Sequence, residues 1–337
     1  YTTLFRSVRA DGIFYYPIDI RSVVRKVLKA VDPSAYVIIE TELWPNMLEE
    51  ASAMGIPVIL ANGRISDRSF AGYKKLGFIT RKMLSCFSTL CVQTPRDAGK
   101  LRELGCGTHK IRVTGNIKFD GAISSVKDPE VEKTERFFAS GKKVIVAGST
   151  HFPEESGIID EFVRFSGASR GMKLIIAPRH VERKEAIKVY VESSGLKCCF
   201  FSELSGEKCH EMSSADVMIV DTIGHLKDLY SLADVVFIGG SMVKKGGQNP
   251  IEAARWGKAI VFGSDMSNFS EVARDFVGGG AALVANDFKR LGGIIEDLMA
   301  NDAKRLKMGK ASGEVIEKNS GAVDRTVEAI LEKVKYR

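Results

Sequence analysis

Short apolar runs alternate with stretches of helix length along almost the whole chain, and this alternation narrows the fold more than any other feature. Strands are expected at 14–17, 36–40, 57–62, 89–94 and 111–115. A second series is expected at 143–148, 174–178, 198–202, 217–222, 235–240, 259–263 and 281–284. A βα repeat of this kind gives a parallel sheet covered on both faces, because each parallel connection needs a crossover helix. The helix limits are marked: Pro45-Asn46 opens one that Gly55 ends, and Thr94-Pro95 opens another that Gly105 ends.

Two such series in 337 residues predict two doubly wound, Rossmann-like α/β domains. The polar, charged stretch 118–141, with Pro129, is the expected linker. The expected domains are 1–125 and 126–337, with the last helix able to pack back on the first domain. Sheets of this type bind ligands at the carboxyl ends of their strands, so two in tandem predict a cleft faced by both sets of loops.

The composition, 45% hydrophobic and 27% charged, is that of a soluble protein, and no apolar run reaches the roughly 18 residues of a membrane span. The chain begins at Tyr1 rather than Met, so the natural N-terminus is expected upstream. Six cysteines, Cys86, Cys91, Cys106, Cys198, Cys199 and Cys209, show no C-x-x-C pair and read as reduced thiols. A net charge of +7 fits phosphorylated substrates or an anionic membrane surface. Without interleaved aromatic and basic residues, nucleic acid is not expected as a partner.

The most informative stretch is 237–252. An apolar strand runs into Gly239-Gly240-Ser241, crosses Lys244, Lys245, Gly246 and Gly247, and enters a helix with Asn249 as cap and Pro250 at its first position. Glycines admit a phosphate to the backbone, a helix start offers free N–H groups, and the lysines add charge. Glu252 in the first turn can accept both hydroxyls of a ribose. The alternative is a glycine-rich turn with no ligand.

Other polar residues follow strands directly. Glu40, Glu42 and Trp44 could hold a polar acceptor, or Glu42 could solvate a helix while Trp44 packs in the core. Asn62-Gly63-Arg64 offers a guanidinium suited to phosphate. Ser149-Thr150-His151 and Pro178-Arg179-His180 follow the first two strands of the second half, and Asp221-Thr222 follows a later one. Arg179 can grip a phosphate in two bonds, while His180 could contact a ligand or cap a helix. The scattered histidines form no metal site, and no G-x-G-x-x-G follows a strand, so a nicotinamide dehydrogenase is not expected.

These segments together resemble the Kdo (3-deoxy-D-manno-octulosonic acid) transferases of lipopolysaccharide synthesis. The matching residues are Glu40-Thr-Glu-Leu-Trp-Pro-Asn46, Asn62-Gly-Arg64 with Ser66 and Gly72-Tyr73, Gly115-Asn-Ile-Lys-Phe-Asp120, Ser149-Thr-His151, Pro178-Arg-His180, Asp221-Thr222 with Gly224, Gly239-Gly-Ser241, Gly246-Gly-Gln-Asn-Pro-Ile-Glu252 and Asn268-Phe269. The resemblance implies a GT-B glycosyltransferase that moves Kdo from CMP-Kdo to a lipid A precursor, with inversion, no metal and no cofactor. It implies action at the cytoplasmic face of the bacterial inner membrane, through an anchor or a peripheral contact with anionic lipid. The donor site would comprise Ser149, Thr150, Pro178, Arg179, His180, Asp221, Gly239, Gly240, Ser241, Gly247, Asn249 and Glu252. The acceptor side would comprise Glu40, Glu42, Trp44, Asn62, Arg64 and Lys118. The catalytic base would lie upstream of Tyr1. Two positions depart from the family's habit: Gln248 stands where His usually precedes Asn-Pro, and His225 where Glu usually follows the Asp-Thr-x-Gly turn. The competing readings are another GT-B glycosyltransferase or a UDP-sugar epimerase, which share the glycine turn and the glutamate, and a non-catalytic nucleotide-binding module.

Overall fold

The computed structural model describes residues 10–121, 131, 134, 143–166, 171–205 and 214–334. The chain divides into two compact units, one of Tyr1–Asp120 with Asn319–Arg337, the other of Gly121–Lys318. Both are parallel α/β sheets. The first contains β1 (Tyr36–Ile39), β2 (Val58–Gly63), β3 (Phe87–Val92) and β4 (Ile111–Val113), side by side in chain order. Every residue of β2 is buried, as expected of a strand covered on both faces. Val24, Leu28, Leu48, Leu84, Phe87 and Leu90 belong to the core around it.

Helix starts in this unit follow the sequence signals, with carboxylates completing them. Thr94 accepts a hydrogen bond from Asp97 N at 3.2 Å ahead of the Pro95–Glu103 helix. The Pro45–Ala53 helix has no such cap of its own. Asp19 supplies it from a distance, accepting Asn46 N at 3.1 Å and Met47 N at 2.9 Å. Near the end of the chain, the Ala322–Leu331 helix packs on this unit, where Arg325 Nε donates to Thr114 O at 2.9 Å and Thr326 bonds Thr114 through the hydroxyls at 3.1 Å.

Two sequence expectations need correction here. The run 14–17 is not a strand: the residues 12–18 have no regular structure, and β1 pairs with β2 alone among the described strands. Without a partner's N–H and C=O groups an extended run has no ladder, and Tyr15 stands 93% exposed. The expected linker also starts too early. Lys118 lies in a tight turn, Ile117–Phe119, whose Phe119 is buried, and Asp120 then accepts backbone N–H groups from Gly321 (2.6 Å) and Val323. Beyond position 121, all of that stretch except Val131 and Thr134 lies outside the described residues, as does Cys209. The other five cysteines are unpaired, and burial pushes the Cys91 and Cys199 thiols up to about 11 and about 12.

The second unit holds β5 (Lys143–Thr150), β6 (Met172–Pro178), β7 (Cys198–Phe200), β8 (Val217–Ile219), β9 (Val235–Ile238), β10 (Ala259–Gly263) and β11 (Ala282–Ala285). Their order across the sheet is β11-β10-β9-β5-β6-β8-β7, all parallel. The chain leaves β5 towards β6 and returns on the other side of β5 as β9. The strand order therefore reverses between β5 and β9, the place at which open parallel sheets bind ligands. Among the described residues no helix is long and apolar enough to cross a membrane.

The Asp120 carboxylate is the cap of the last helix, so Asp120→Ala is expected to lower the stability of the first unit by about 1–2 kcal/mol in urea denaturation. An unchanged midpoint would show that the helix docks without this cap.

Candidate functional site

The reversal point of the second sheet is built around one buried carboxylate. Gly239 follows β9 directly and lies against the backbone at the end of β5, where a Cβ would stand 2.4 Å from Ser149 O and 2.5 Å from Thr150 Cα. Ser149 itself takes a left-handed φ of 53°, rare for a residue with a side chain. Into this contact Glu154 projects from the first turn of the Glu154–Ser166 helix, fully buried. Its oxygens accept N–H groups from Gly240 (2.7 Å), Ser241 (3.0 Å) and Met242 (2.9 Å), and from His151 (2.9 Å). Burial pushes this carboxyl above the ordinary carboxylate range, against the pull of the four donors.

This overturns part of the sequence reading. The backbone of the Gly239-Gly240-Ser241 turn, expected to admit a phosphate, already binds a carboxyl group that belongs to the chain. The Ser241 hydroxyl is engaged too, donating to Ile238 O at 2.5 Å and accepting Gly263 N at 2.7 Å. The loop then folds back on itself, with Gly247 N on Gly240 O (2.9 Å) and Gln248 N on Gly239 O (3.1 Å). Gly246 and Gly247 both have φ above 69°, and Asp265 accepts Gly246 N at 2.8 Å. Asn249 Oδ1 caps Ile251 N at 3.1 Å, but the helix it opens, Ile251–Ala254, is a single turn and carries little dipole.

The side chains left free around this knot are basic. His151 has its Nε2 buried and unpaired, and its ring meets that of His180 edge-on at 5.6 Å. Burial holds its imidazole below the ordinary range, helped by the charges of His180, Lys245, Arg179 and Arg183. Arg179 and Lys245 are exposed, and their side chains have no hydrogen-bond or ion-pair partner among the described residues. Arg183 instead pairs with Glu155 at 3.6 Å and covers the Phe152 ring at 5.1 Å. His180 does not cap the turn that follows it. Gln248 lies near His151, since a Cβ on Gly240 would stand 3.4 Å from both side chains. Glu252 is half-buried, with one 3.4 Å bond from Asn249 Nδ2, and burial pushes its carboxyl up.

Three residues expected in the donor site have partners within the chain. Thr150 is buried and its hydroxyl donates to Glu155 at 3.4 Å. Pro178 is buried in the β5–β6 ladder opposite Thr150. Asp221 accepts from Ser202 N (3.0 Å), Ser202 Oγ (2.7 Å) and Lys184 Nζ (3.1 Å). Burial raises its carboxyl, but these partners outweigh that and hold it below the ordinary range. The departing His225 packs its ring on Phe201 at 5.0 Å.

In the first unit the expected acceptor residues gather at the strand ends. Glu40 (φ 64°) and Asn62 (φ 54°) are again non-glycine residues in the left-handed region, strain that tends to collect at functional sites. Glu40 pairs with Lys118 at 2.8 Å, joining the loops after β1 and β4. Asn62 is buried, accepts Ile117 N at 3.2 Å, and leaves Nδ2 without a partner. Thr41 locks the Arg64 backbone by accepting its N–H (3.0 Å) and donating to its carbonyl (2.5 Å). Trp44 is not a core residue: it is 41% exposed, stacked at 5.3 Å on Tyr16, with Nε1 3.4 Å from Glu42.

Sequence reasoning missed the residues that hold these loops: Glu154, Asp19 and Asp97, whose Oδ1 accepts Ile65 N at 2.9 Å. One signal existed for Glu154. It bonds His151 N while its own N–H reaches His151 O at 2.6 Å, the reciprocal spacing of a capping box. Among the described residues no group of three His, Cys, Asp or Glu could hold a metal ion.

The family model described as 3-deoxy-D-manno-octulosonic-acid transferase (kdotransferase) matches residues 2–121. The chain is 31% identical over 322 residues to a 3-deoxy-D-manno-octulosonic acid transferase of Bordetella pertussis, covering 94% of this chain and 73% of that protein. It is 33% identical over 266 residues to a bifunctional glycosyltransferase/methyltransferase of Fusobacterium nucleatum, where it covers 79% of this chain but only 41% of the longer relative. Among solved structures, the C-terminal CMP-Kdo binding domain of WaaA from Acinetobacter baumannii is similar, with TM-score 0.51 and 24% identity over 56% of this chain and 96% of that domain. UDP-GlcNAc 2-epimerase from Neisseria meningitidis bound to UDP-GlcNAc shares the fold at TM-score 0.62, with 16% identity over 93% of this chain and 80% of the epimerase.

Replacing the Glu154 carboxylate by an amide puts an NH2 against backbone donors, so Glu154→Gln is expected to cost about 3 kcal/mol of stability. Amide hydrogen exchange at Gly240, Ser241 and Met242 is expected to accelerate first. Unchanged protection of those three amides would show that another group holds the loop.

Proposed function

The chain belongs to the 3-deoxy-D-manno-octulosonic acid transferase family, and from that premise we propose that it moves Kdo from CMP-Kdo to a lipid A precursor. The donor is held by the Gly121–Lys318 unit and the acceptor by the Tyr1–Asp120 unit. The observation that carries this reading is the pair of free cations, Arg179 and Lys245, beside the imidazoles of His151 and His180 around the reversal point of the second sheet. That group is placed for a phosphate, and the half-buried Glu252 on the same loop system for the ribose hydroxyls. The phosphate is met by side chains, because Glu154 already fills the backbone nest.

In the reaction an acceptor hydroxyl attacks the anomeric carbon, the bond to the donor phosphate breaks, and CMP leaves with the electron pair while the sugar inverts. The departing phosphate gains charge, which Arg179, Lys245 and His151 offset. These groups stabilise the leaving group without a metal ion. The hydroxyl's proton passes to a general base, a role given to no residue of this chain. On the acceptor side, Glu40, Lys118, Asn62 and Arg64 form a polar rim at the strand ends, and the exposed Trp44 offers a face to the sugar. A lipid acceptor places the reaction at the cytoplasmic face of the inner membrane.

Glu252→Gln is expected to weaken CMP binding by about 1.5–3 kcal/mol in calorimetry, the worth of a charged hydrogen bond. Equal affinity in the variant would remove Glu252 from the ribose site. Arg179→Lys is expected to weaken binding as well, since a point charge does not replace a two-pronged contact.

The pH dependence has a definite sign. His151 is held below the usual histidine pKa of about 6.5 in the free protein, and a bound phosphate raises it, so binding takes up a proton. CMP affinity is therefore expected to rise as pH falls from the bound-state pKa towards the lower free-state pKa, beyond the change due to protonation of CMP itself. Calorimetry across that range with His151→Gln is expected to lose this excess, and parallel profiles for the two proteins would place His151 away from the phosphate.

A further inference from the structure

The first unit also carries an apolar corner with a basic collar. The Asp67–Leu76 helix stops at Gly77, with φ 44°, and the Phe78–Ser85 helix starts at once. Inside this joint, Phe70 and Tyr73 pack against the core beside the buried Met83 and Leu84, and the Thr80 hydroxyl donates to Tyr73 O at 2.8 Å. Those contacts turn the joint outwards. Leu76 is 49% exposed, Phe78 79% and Ile79 51%, three large apolar side chains on consecutive positions around one glycine. A solvated helix joint has no need of them.

The charge carried by the corner's own segment has one sign. From Arg68 to Lys82 the chain carries Arg68, Lys74, Lys75, Arg81 and Lys82 and no acidic residue. Lys74 reaches Glu103 at 3.6 Å and Lys82 reaches Glu49 at 2.9 Å, whereas Lys75 and Arg81 have no ion-pair partner among the described residues. Apolar side chains ringed by lysine and arginine suit the boundary between acyl chains and anionic headgroups, where the former are dehydrated and the latter attract the collar. An acidic protein surface would match the charges but not three projecting apolar tips without a groove to receive them.

We propose that the joint of Leu76, Phe78 and Ile79, with Lys75 and Arg81 beside it, is a membrane-docking corner that inserts into an anionic bilayer. It would bring the first unit to a lipid-linked acceptor. The corner rests on the proposed function for that purpose and on exposure and charge for its existence.

The test is co-sedimentation of the whole chain with vesicles of phosphatidylcholine containing a quarter phosphatidylglycerol, and with vesicles of phosphatidylcholine alone. The protein is expected to partition to the anionic vesicles, more weakly as salt rises. The triple variant Leu76→Ser, Phe78→Ser, Ile79→Ser is expected to partition about ten-fold less, and Lys75→Gln with Arg81→Gln about ten-fold less on the anionic vesicles only. These side chains are exposed, so the fold is expected to survive, which circular dichroism and CMP binding check. Wild-type partition by the triple variant overturns the proposal. So does equal binding to both vesicle types, or failure of the wild type to sediment. Concentration-dependent self-association that the triple variant abolishes, without vesicle binding, would assign the corner to a protein contact and also overturn it. Loss of CMP binding with vesicle binding intact would count against the donor reading alone.

Discussion

The four hydrogen bonds to Glu154 are the interaction on which the second unit's functional end depends. A carboxylate stripped of water is costly, and here that cost is offset by backbone N–H groups from both loops at the reversal point. Three of the donors are consecutive, Gly240 to Met242, which is the arrangement a phosphate would use. Filling the nest from within fixes the two loops before any ligand arrives. It also leaves the side chains of Arg179, Lys245 and His151, rather than these backbone dipoles, as the groups without a partner at the reversal point.

The first unit uses the same device three times. Asp19 caps the Pro45–Ala53 helix, Asp97 holds the Arg64 loop through Ile65, and Asp120 caps the helix near the end of the chain. In each case a carboxylate from one segment takes up backbone donors of another far from it in sequence. Such contacts tie the strand-end loops into one platform, on which Glu40 and Asn62 can hold left-handed conformations that their own side chains disfavour.

How much of this was legible depended on the range of the interaction. Eleven of twelve expected strands form, because a buried parallel strand is a local run of apolar residues. The twelfth, 14–17, failed because pairing is a non-local property. Thr94, Pro45 and Pro95 mark their helices from within two or three residues. The strand-end location of the polar residues was also readable, since it follows from the strands themselves. What sequence could not give was the division of labour among them. Thr150, Asp221 and Ser241 look as available as Arg179 until Glu155, Lys184 and Gly263 are found beside them, and those partners lie 5, 37 and 22 residues away.

The two positions that depart from the family's habit are best judged by their neighbours. Where the resemblance implies a histidine before Asn-Pro, this chain has Gln248, which can donate and accept hydrogen bonds but cannot change its charge. Across Gly240 from it stands His151, whose buried, unpaired Nε2 can take a proton when an anion is bound. The reversal point therefore keeps a titratable imidazole, that of His151, even with glutamine at 248. His225 makes a different case. Its ring packs on Phe201 after β8, the strand separated from β5 by β6, so exchanging a negative side chain for an imidazole there alters the wall of the sheet's far side and leaves the cationic group at the reversal point intact.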